Sequence, residues 1–369
     1  MSELTEVLAA IDELLARGER FAIATIVSVR GSTYRRPGAR LVVPERGESV
    51  GNISGGCLEG DVERIGREVI AAGVPQLELF DLSADDDAVW GYGLGCNGAM
   101  ELFIEPGDRV AASVAGQLRA AVEADQRACL ATVIEGPSVG VRLLVVSDGL
   151  GAEGPLADAA RAALAAGQSS VQQVPMSDGD ARAFLEVIRP PLHLLVCGAG
   201  HDAIPLVSQA GDLGWRVTVV DPRSTFLTTD RFPSATDLLE AEGDELVGRA
   251  AVDADTYAVV MSHNYRRDLG YLRALLGSEA RYVGMLGPRR RTEQILDELA
   301  GQGVTLTSDD WARLHAPAGL DLGAEGPDEI AASIVAEILA VERGRHGGPL
   351  RERRGPIHAA DVPAGQPPT

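Results

Sequence analysis

The stretch "LHLLVCGAGHDAIPLVSQAGDLGWRVTVVD" (192–221) limits the possible folds of this chain more than any other. A short apolar run ends at Gly198, and the pattern Gly198-x-Gly200-x-x-Ala203 opens a segment with helical apolar spacing. The first glycine permits a tight strand-to-helix turn. The second lets a pyrophosphate approach the backbone at a helix N-terminus that favours anions. Asp221 closes the next apolar strand, where a carboxylate accepts ribose hydroxyls in dinucleotide-binding folds. The same glycines also serve close strand–helix packing with no ligand, and both readings stand. Cys197, in the strand before the turn, reads as a small buried residue.

Strand and helix patterns continue to alternate after Gly214. "TYAVVMSHN" and "ARYVGMLG" are further strands, and "PDEIAASIVAEILAVER" (327–343) is a last helix with Pro327 in its first turn. The alternation predicts a parallel sheet with helices on both faces, a Rossmann-like doubly wound domain. Ligands of such sheets bind beyond the carboxyl ends of the strands. His201, His263 and Arg289 fall there, with Arg290 and Arg291 following. His263 reads either as a proton or hydrogen-bond donor or as a helix cap. The arginines read as a phosphate grip or as a solvated helix start.

The N-terminal half reads differently. Residues 3–17 carry an amphipathic helix, followed by strands at "FAIATIVSV", "LVVP" and "SVGNI", a helix from Leu58, and strands at "LELFDL" and "AMELFIEP". Between 107 and 188 the pattern predicts a helix (109–124), strands at "CLATVIEG" and "VGVRLLVVS", and an Ala-rich helix (155–166). This is a mixed α+β domain. A chain of 369 residues exceeds one ordinary core. Pro190-Pro191 is the natural hinge, so the expected domains are 1–188 and 189–343, with a Gly/Pro-rich disordered tail over 344–369.

The formal net charge of −21 argues against nucleic-acid or anionic-membrane partners. The four cysteines, Cys57, Cys96, Cys129 and Cys197, form no Cys-x-x-Cys pair. No basic leader or apolar stretch of about 18 residues is present, so a cytoplasmic protein with reduced thiols is expected.

"SVRGSTYRRPGARLVV", "GNISGGCLEGDV", "GLGCNGAMELFIEP", "LLVCGAGHDAIPL", "GWRVTVVDPR", "MSHNYRRD", "YVGMLGPRRR" and "APAGLDLGAEGPDEIAASIVAEILA" occur in this order across nearly the whole chain. Together they resemble the XdhC/CoxI accessory proteins. The resemblance implies an XdhC/CoxI N-terminal domain, a Rossmann C-terminal domain and a homodimer. It also implies binding of molybdenum cofactor, its sulfuration with a cysteine desulfurase, and its delivery to a xanthine dehydrogenase-type or CO dehydrogenase-like molybdoenzyme. This chain departs from the family at Asn97, where Cys-Gly-Gly is common, and at Asp202, where an apolar residue is common. A carboxylate at 202 opposes a pyrophosphate.

The cofactor is a pterin bearing a phosphate and a dithiolene that holds molybdenum. Gly55-Gly56 precede a helix, where open amides would form an anion nest. Cys57 at that helix start and Cys96 in a second glycine loop are candidate soft contacts to molybdenum or sulfur relays. Cys57 also reads as a small residue under a tight turn. Arg30, Arg35, Arg36 and Arg40 flank the neighbouring loop. Two further functions stay open: an NAD(P)-dependent oxidoreductase with His263 as acid, and a Rossmann domain used only for dimerisation and docking.

Overall fold

The computed structural model describes residues 3–31, 33–81, 98–107, 109–147 and 153–353. The chain divides into two compact units at the Pro190–Pro191 step.

The first unit contains α1 (Glu3–Arg17), β1 (Phe21–Gly31), β2 (Arg40–Pro44), β3 (Val50–Gly51), α2 (Glu59–Ala72), β4 (Gln76–Asp81), β5 (Gly98–Pro106), α3 (Arg109–Glu123), β6 (Ala128–Glu135), β7 (Arg142–Val146), α4 (Pro155–Ala166), β8 (Ser170–Met176) and β9 (Gly179–Ile188). Two antiparallel sheets result, in the orders β3-β2-β1-β5-β4 and β7-β6-β9-β8. Residues 21–27 of β1 are buried throughout, and alternation sends them to two different cores. Ala22, Ala24 and Ile26 pack with Leu41 and Val43 against Val62, Ile65 and Val69 of α2. On the opposite face, Val27 and Phe103 meet Ile134 and Phe184 of the second sheet. Leu156, Ala160 and Ala163 of α4 cover that sheet's outer face. The layers are therefore α2, sheet, sheet and α4, with α1 also covering Phe21, Ile23 and Val42 on the inner face of the first sheet.

The predicted strand "SVGNI" shrinks to Val50–Gly51. Gly51 has φ +106, and a Cβ there would stand 2.2 Å from the Arg40 carbonyl oxygen, so the chain turns out of the sheet. The β8–β9 hairpin goes beyond the sequence pattern; its strand β8 carries polar Ser170, Gln172 and Gln173.

Charge is buried between the two sheets. Arg40 pairs with Glu186, and Arg142 with Glu105, all four side chains being 7–11% exposed. Burial, and then the neighbouring Arg40, lower the Arg142 guanidinium to about 10.

The second unit contains β10 (His193–Cys197), α5 (Ala203–Asp212), β11 (Arg216–Val220), β12 (Asp237–Leu239), α6 (Gly243–Arg249), β13 (Thr256–Val260), α7 (Tyr265–Leu276), β14 (Tyr282–Met285), α8 (Arg289–Gly301), α9 (Ser308–Arg313), β15 (Leu314–His315) and α10 (Pro327–Glu342). Its six strands run parallel in the order β12-β11-β10-β13-β14-β15. α5 and α10 cover one face through Leu206, Val207, Ile334 and Ile338. α6, α7 and α8 cover the other through Leu246, Leu272, Leu275 and Ile295. This is the doubly wound arrangement predicted from the alternation. The short strands β12 and β15 go beyond it. In the C-terminal segment Leu350–Glu352 form a 3₁₀ turn, and residues 354–369 lie outside the described residues.

The buried polar groups make two stability predictions. Arg142→Leu strands the Glu105 carboxylate and should cost about 3–5 kcal/mol, whereas Arg142→Leu/Glu105→Leu should recover most of it. Denaturant midpoints of the three proteins test this, and equal losses in both variants would refute it. His193 is 3% exposed and lies beside Thr218. Burial first, then Arg216, depress its pKa from 6.5 to about 4. Between those values the folded chain binds fewer protons than the unfolded one. The stability contribution is thus complete above about pH 6.5 and falls by on the order of 2 kcal/mol at pH 5. His193→Gln should flatten this acid limb in a midpoint-against-pH series; an unchanged slope would exclude the ring as its source.

Candidate functional site

Two glycine turns, one in each unit, carry the residues singled out from sequence. The first joins β3 to α2. Gly55 and Gly56 adopt φ +80 and +107, left-handed values that free a glycine from the cost other residues bear. The bend turns five successive amides, Ser54 to Leu58, towards side chains. Gly55 N–H donates to Asn52 Oδ1 (3.1 Å), and Cys57 and Leu58 N–H donate to Ser54 Oγ (3.1 and 2.8 Å). Glu59 accepts from the amides of Ser54 (2.9 Å), Gly56 (3.0 Å) and Leu58 (3.1 Å), and from the Ser54 hydroxyl. The expected open anion nest is therefore filled by the chain's own carboxylate. Partial burial alone would raise the Glu59 pKa, but the Ser54 and backbone hydrogen bonds outweigh it and hold the carboxyl below its usual value.

Cys57 is exposed at the crest of this turn. Cys129 and Cys197 are buried. Burial and then Glu186 push the Cys129 thiol up to about 12, and burial and then Asp268 raise Cys197. Cys96 lies outside the described residues. Among the described residues, no group of three or more His, Cys, Asp and Glu side chains is placed to hold a metal ion. The Tyr34 ring borders Gly55, its Cε1 lying 3.3 Å from where a Cβ would stand. Sequence reasoning missed both Glu59 and Tyr34. An acidic residue two places after the cysteine was the available signal for the first.

The second turn follows β10. The chain leaves β10 towards β11 on one side and returns at β13 on the other, so Gly198 and Gly200 sit at the topological switch point. Gly198 has a packing reason: a Cβ there would stand 2.6 Å from Ser262 Cα and 2.7 Å from Met261 O. Over Gly200, a Cβ would come 2.7 Å from Asp202 Oδ1. Asp202 stands at the N-cap position of α5, but its side chain accepts no helix amide and pairs with His263 instead. The space through which a pyrophosphate would approach Gly200 is thus partly taken by an acidic side chain.

Asp221 differs from its expected ribose-binding role. It is 0% exposed and accepts from the Ala199 amide (3.0 Å), the Arg223 amide (2.9 Å) and the Arg223 guanidinium (2.8 Å at both Nε and Nη2). Burial would raise its pKa; these donors, Arg223 foremost, hold it below the usual carboxylate range. The carboxylate clamps the glycine turn to the end of β11 and offers no open oxygen to a ribose. His263 is not the helix cap, since Asn264 accepts from the amides of Arg266 and Arg267. It has φ +55, a backbone state that costs a non-glycine residue of order 1–3 kcal/mol. His201, Arg289 and Arg290 are exposed at the same sheet edge, while Arg291 turns inward to Asp268. An acidic side chain thus stands beside Gly200, and the Asp221 oxygens are engaged by Ala199 and Arg223.

The Glu59 lock makes a specific prediction. Glu59→Ala should speed amide hydrogen exchange at Gly56 and Leu58 and destabilise the unit by about 1–2 kcal/mol. Because the folded pKa of Glu59 is depressed, the stabilisation is present above its unfolded value and lost as pH falls through the folded one. Unchanged exchange at those amides in the variant would show that the carboxylate does not hold the turn.

The chain's relatives share both units. Residues 14–81 match the XdhC and CoxI family, and residues 194–338 match the XdhC Rossmann domain. A Bacillus subtilis (strain 168) protein, described as a probable xanthine dehydrogenase subunit, is 31% identical over 339 residues, covering 90% of this chain and 96% of its own. The Escherichia coli (strain K12) "Molybdenum cofactor insertion chaperone PaoD" is 24% identical over 336 residues, covering 89% and 86%. The crystal structure of a Bacillus halodurans protein described as a xanthine dehydrogenase superposes with a TM-score of 0.76 at 28% identity, covering 94% and 97%. With the two-sheet first unit, the glycine turns and a relative of this identity over this length in agreement, the chain belongs to the XdhC and CoxI family.

Proposed function

We propose that this protein carries molybdenum cofactor and supports its sulfuration and insertion into a molybdoenzyme of the xanthine dehydrogenase class. The observation that carries this reading is the position of Cys57. It is the exposed thiol among three described cysteines, held on a glycine turn whose amides are locked by Asn52, Ser54 and Glu59. A soft sulfur ligand presented on a rigid, accessible crest suits contact with a thiophilic metal or with a sulfur-donating cysteine desulfurase. The name of the Escherichia coli relative supports a cofactor-insertion role, and that of the Bacillus subtilis relative a link to a xanthine dehydrogenase. Cofactor handling needs no turnover chemistry from this chain: it requires a held cargo and a release. The Rossmann unit, with its turn clamped by Asp221 and covered by Asp202, then acts as a scaffold.

Protein purified from a molybdenum-replete host should contain molybdenum and organic phosphate near one per chain by elemental analysis. Cys57→Ala should lower the molybdenum content severalfold and slow activation of the partner apo-dehydrogenase. Wild-type metal content together with wild-type activation in that variant would remove the thiol from the reading.

A further inference from the structure

The loop between β1 and β2 borders a second concave feature of the first unit. A cleft of about 400 Å³ has Leu4, Val7, Ile188, Tyr34, Arg35 and Arg36 among its lining residues. This volume falls among small-ligand pockets, which span roughly 300–1,000 Å³. The wall is rigidly built. Gly38 has φ +98, and a Cβ there would stand 2.8 Å from Glu186 Oε1. Arg40, inside the wall, donates from Nη1 to the Gly38 carbonyl (2.8 Å) and to Glu186 Oε1 (2.8 Å). A buried ion pair therefore fixes the bend that carries Tyr34 and Arg36, and it occupies the Glu186 carboxylate that lines the cleft.

Arg36 is exposed, and its guanidinium has no hydrogen bond or ion pair among the described residues. Carboxylates outnumber basic side chains 54 to 33 in this chain, so a positive cleft wall whose carboxylate is already neutralised stands out. Tyr34 is 66% exposed and offers a flat aromatic face. The same residue borders Gly55, two positions from Cys57, so cleft and thiol turn adjoin across one ring.

We propose that this cleft binds a flat heterocycle carrying a phosphate monoester, with Arg36 holding the phosphate and Tyr34 stacking on the ring. A guanidinium fork matches phosphate oxygens, and a phenol ring matches a planar bicycle. The inference rests on the cofactor-carrying reading and deepens it: the pterin and phosphate of the cargo lie in the cleft, and its metal end faces the Cys57 turn.

The test is calorimetric titration of the full chain with molybdenum cofactor released from a molybdoenzyme, for wild type, Arg36→Glu, Arg36→Lys and Tyr34→Ala. Arg36→Glu should weaken binding at least tenfold and Tyr34→Ala severalfold, with Arg36→Lys between wild type and Arg36→Glu. Inorganic phosphate should compete with the cofactor on wild type and lose that effect on Arg36→Glu. Both side chains are exposed, and an unchanged circular dichroism spectrum confirms folding of each variant. If wild type binds and all three variants bind within twofold of it, the cleft is wrong and the carrier reading stands. Failure of wild type to bind at all overturns both.

Discussion

A carboxylate receiving backbone N–H groups at a tight turn is the interaction on which the functional edges of both units depend. Glu59 takes three amides of the 54–58 turn. Asp221 takes the amide of Ala199 inside the glycine turn, and Asp268 takes the amide (3.2 Å) and hydroxyl (2.5 Å) of Ser262 at the end of β13. Glu337 accepts from the Gly319 amide (2.8 Å) and from the buried Tyr282 hydroxyl (2.6 Å). Three of the four also have a nearby basic side chain: Arg223, Arg291 and His315. Tight turns leave amide donors without helix or sheet partners, and a buried unpaired donor costs about 1–3 kcal/mol. A carboxylate offers several acceptor sites and can satisfy more than one of them at once.

This arrangement changes the meaning of the glycine motifs. A turn of open amides attracts any anion. Here the anion is supplied internally, so the turns are held in shape before a ligand arrives. An external phosphate at the first turn would have to displace a carboxylate that is already hydrogen-bonded. Presented to solvent are the thiol of Cys57 in one unit and, in the other, His201 and His263. On the β1–β2 loop, by contrast, Glu186 is paired with Arg40 and the exposed Arg36 points outward.

Much of the framework was legible because it is periodic. Alternating strand and helix patterns from 192 onward led to the doubly wound sheet, and the α1 and α4 patterns matched their helices residue for residue. The β8–β9 hairpin escaped because Gln172, Gln173 and Ser170 mask the alternation that Val174, Ala181 and Ala183 follow once paired. Its only local mark is Asp178-Gly179 at the turn, a common hairpin pair. β12 and β15 are two or three residues long and exist only as additions to a sheet edge made by distant segments. The four-layer packing of the first unit was equally hidden, since a strand buried on both faces reads the same whatever covers it.

By itself the sequence determined where the chain bends and which chemical groups stand at each bend: glycines at 55, 56, 198 and 200, a thiol at 57, carboxylates at 59, 202 and 221. Those follow from local steric freedom and residue identity. Only the tertiary structure decided whether each bend is open or filled. Glu59 reaches back five residues to Ser54, Asp221 reaches across from the next strand to Ala199, and Asp202 meets His263 across 61 positions of sequence. No local pattern encodes the last two pairings, because they depend on the order of the strands that bring the partners together. The physical reason is that a donor's partner is set by position in space, which only the folded chain fixes.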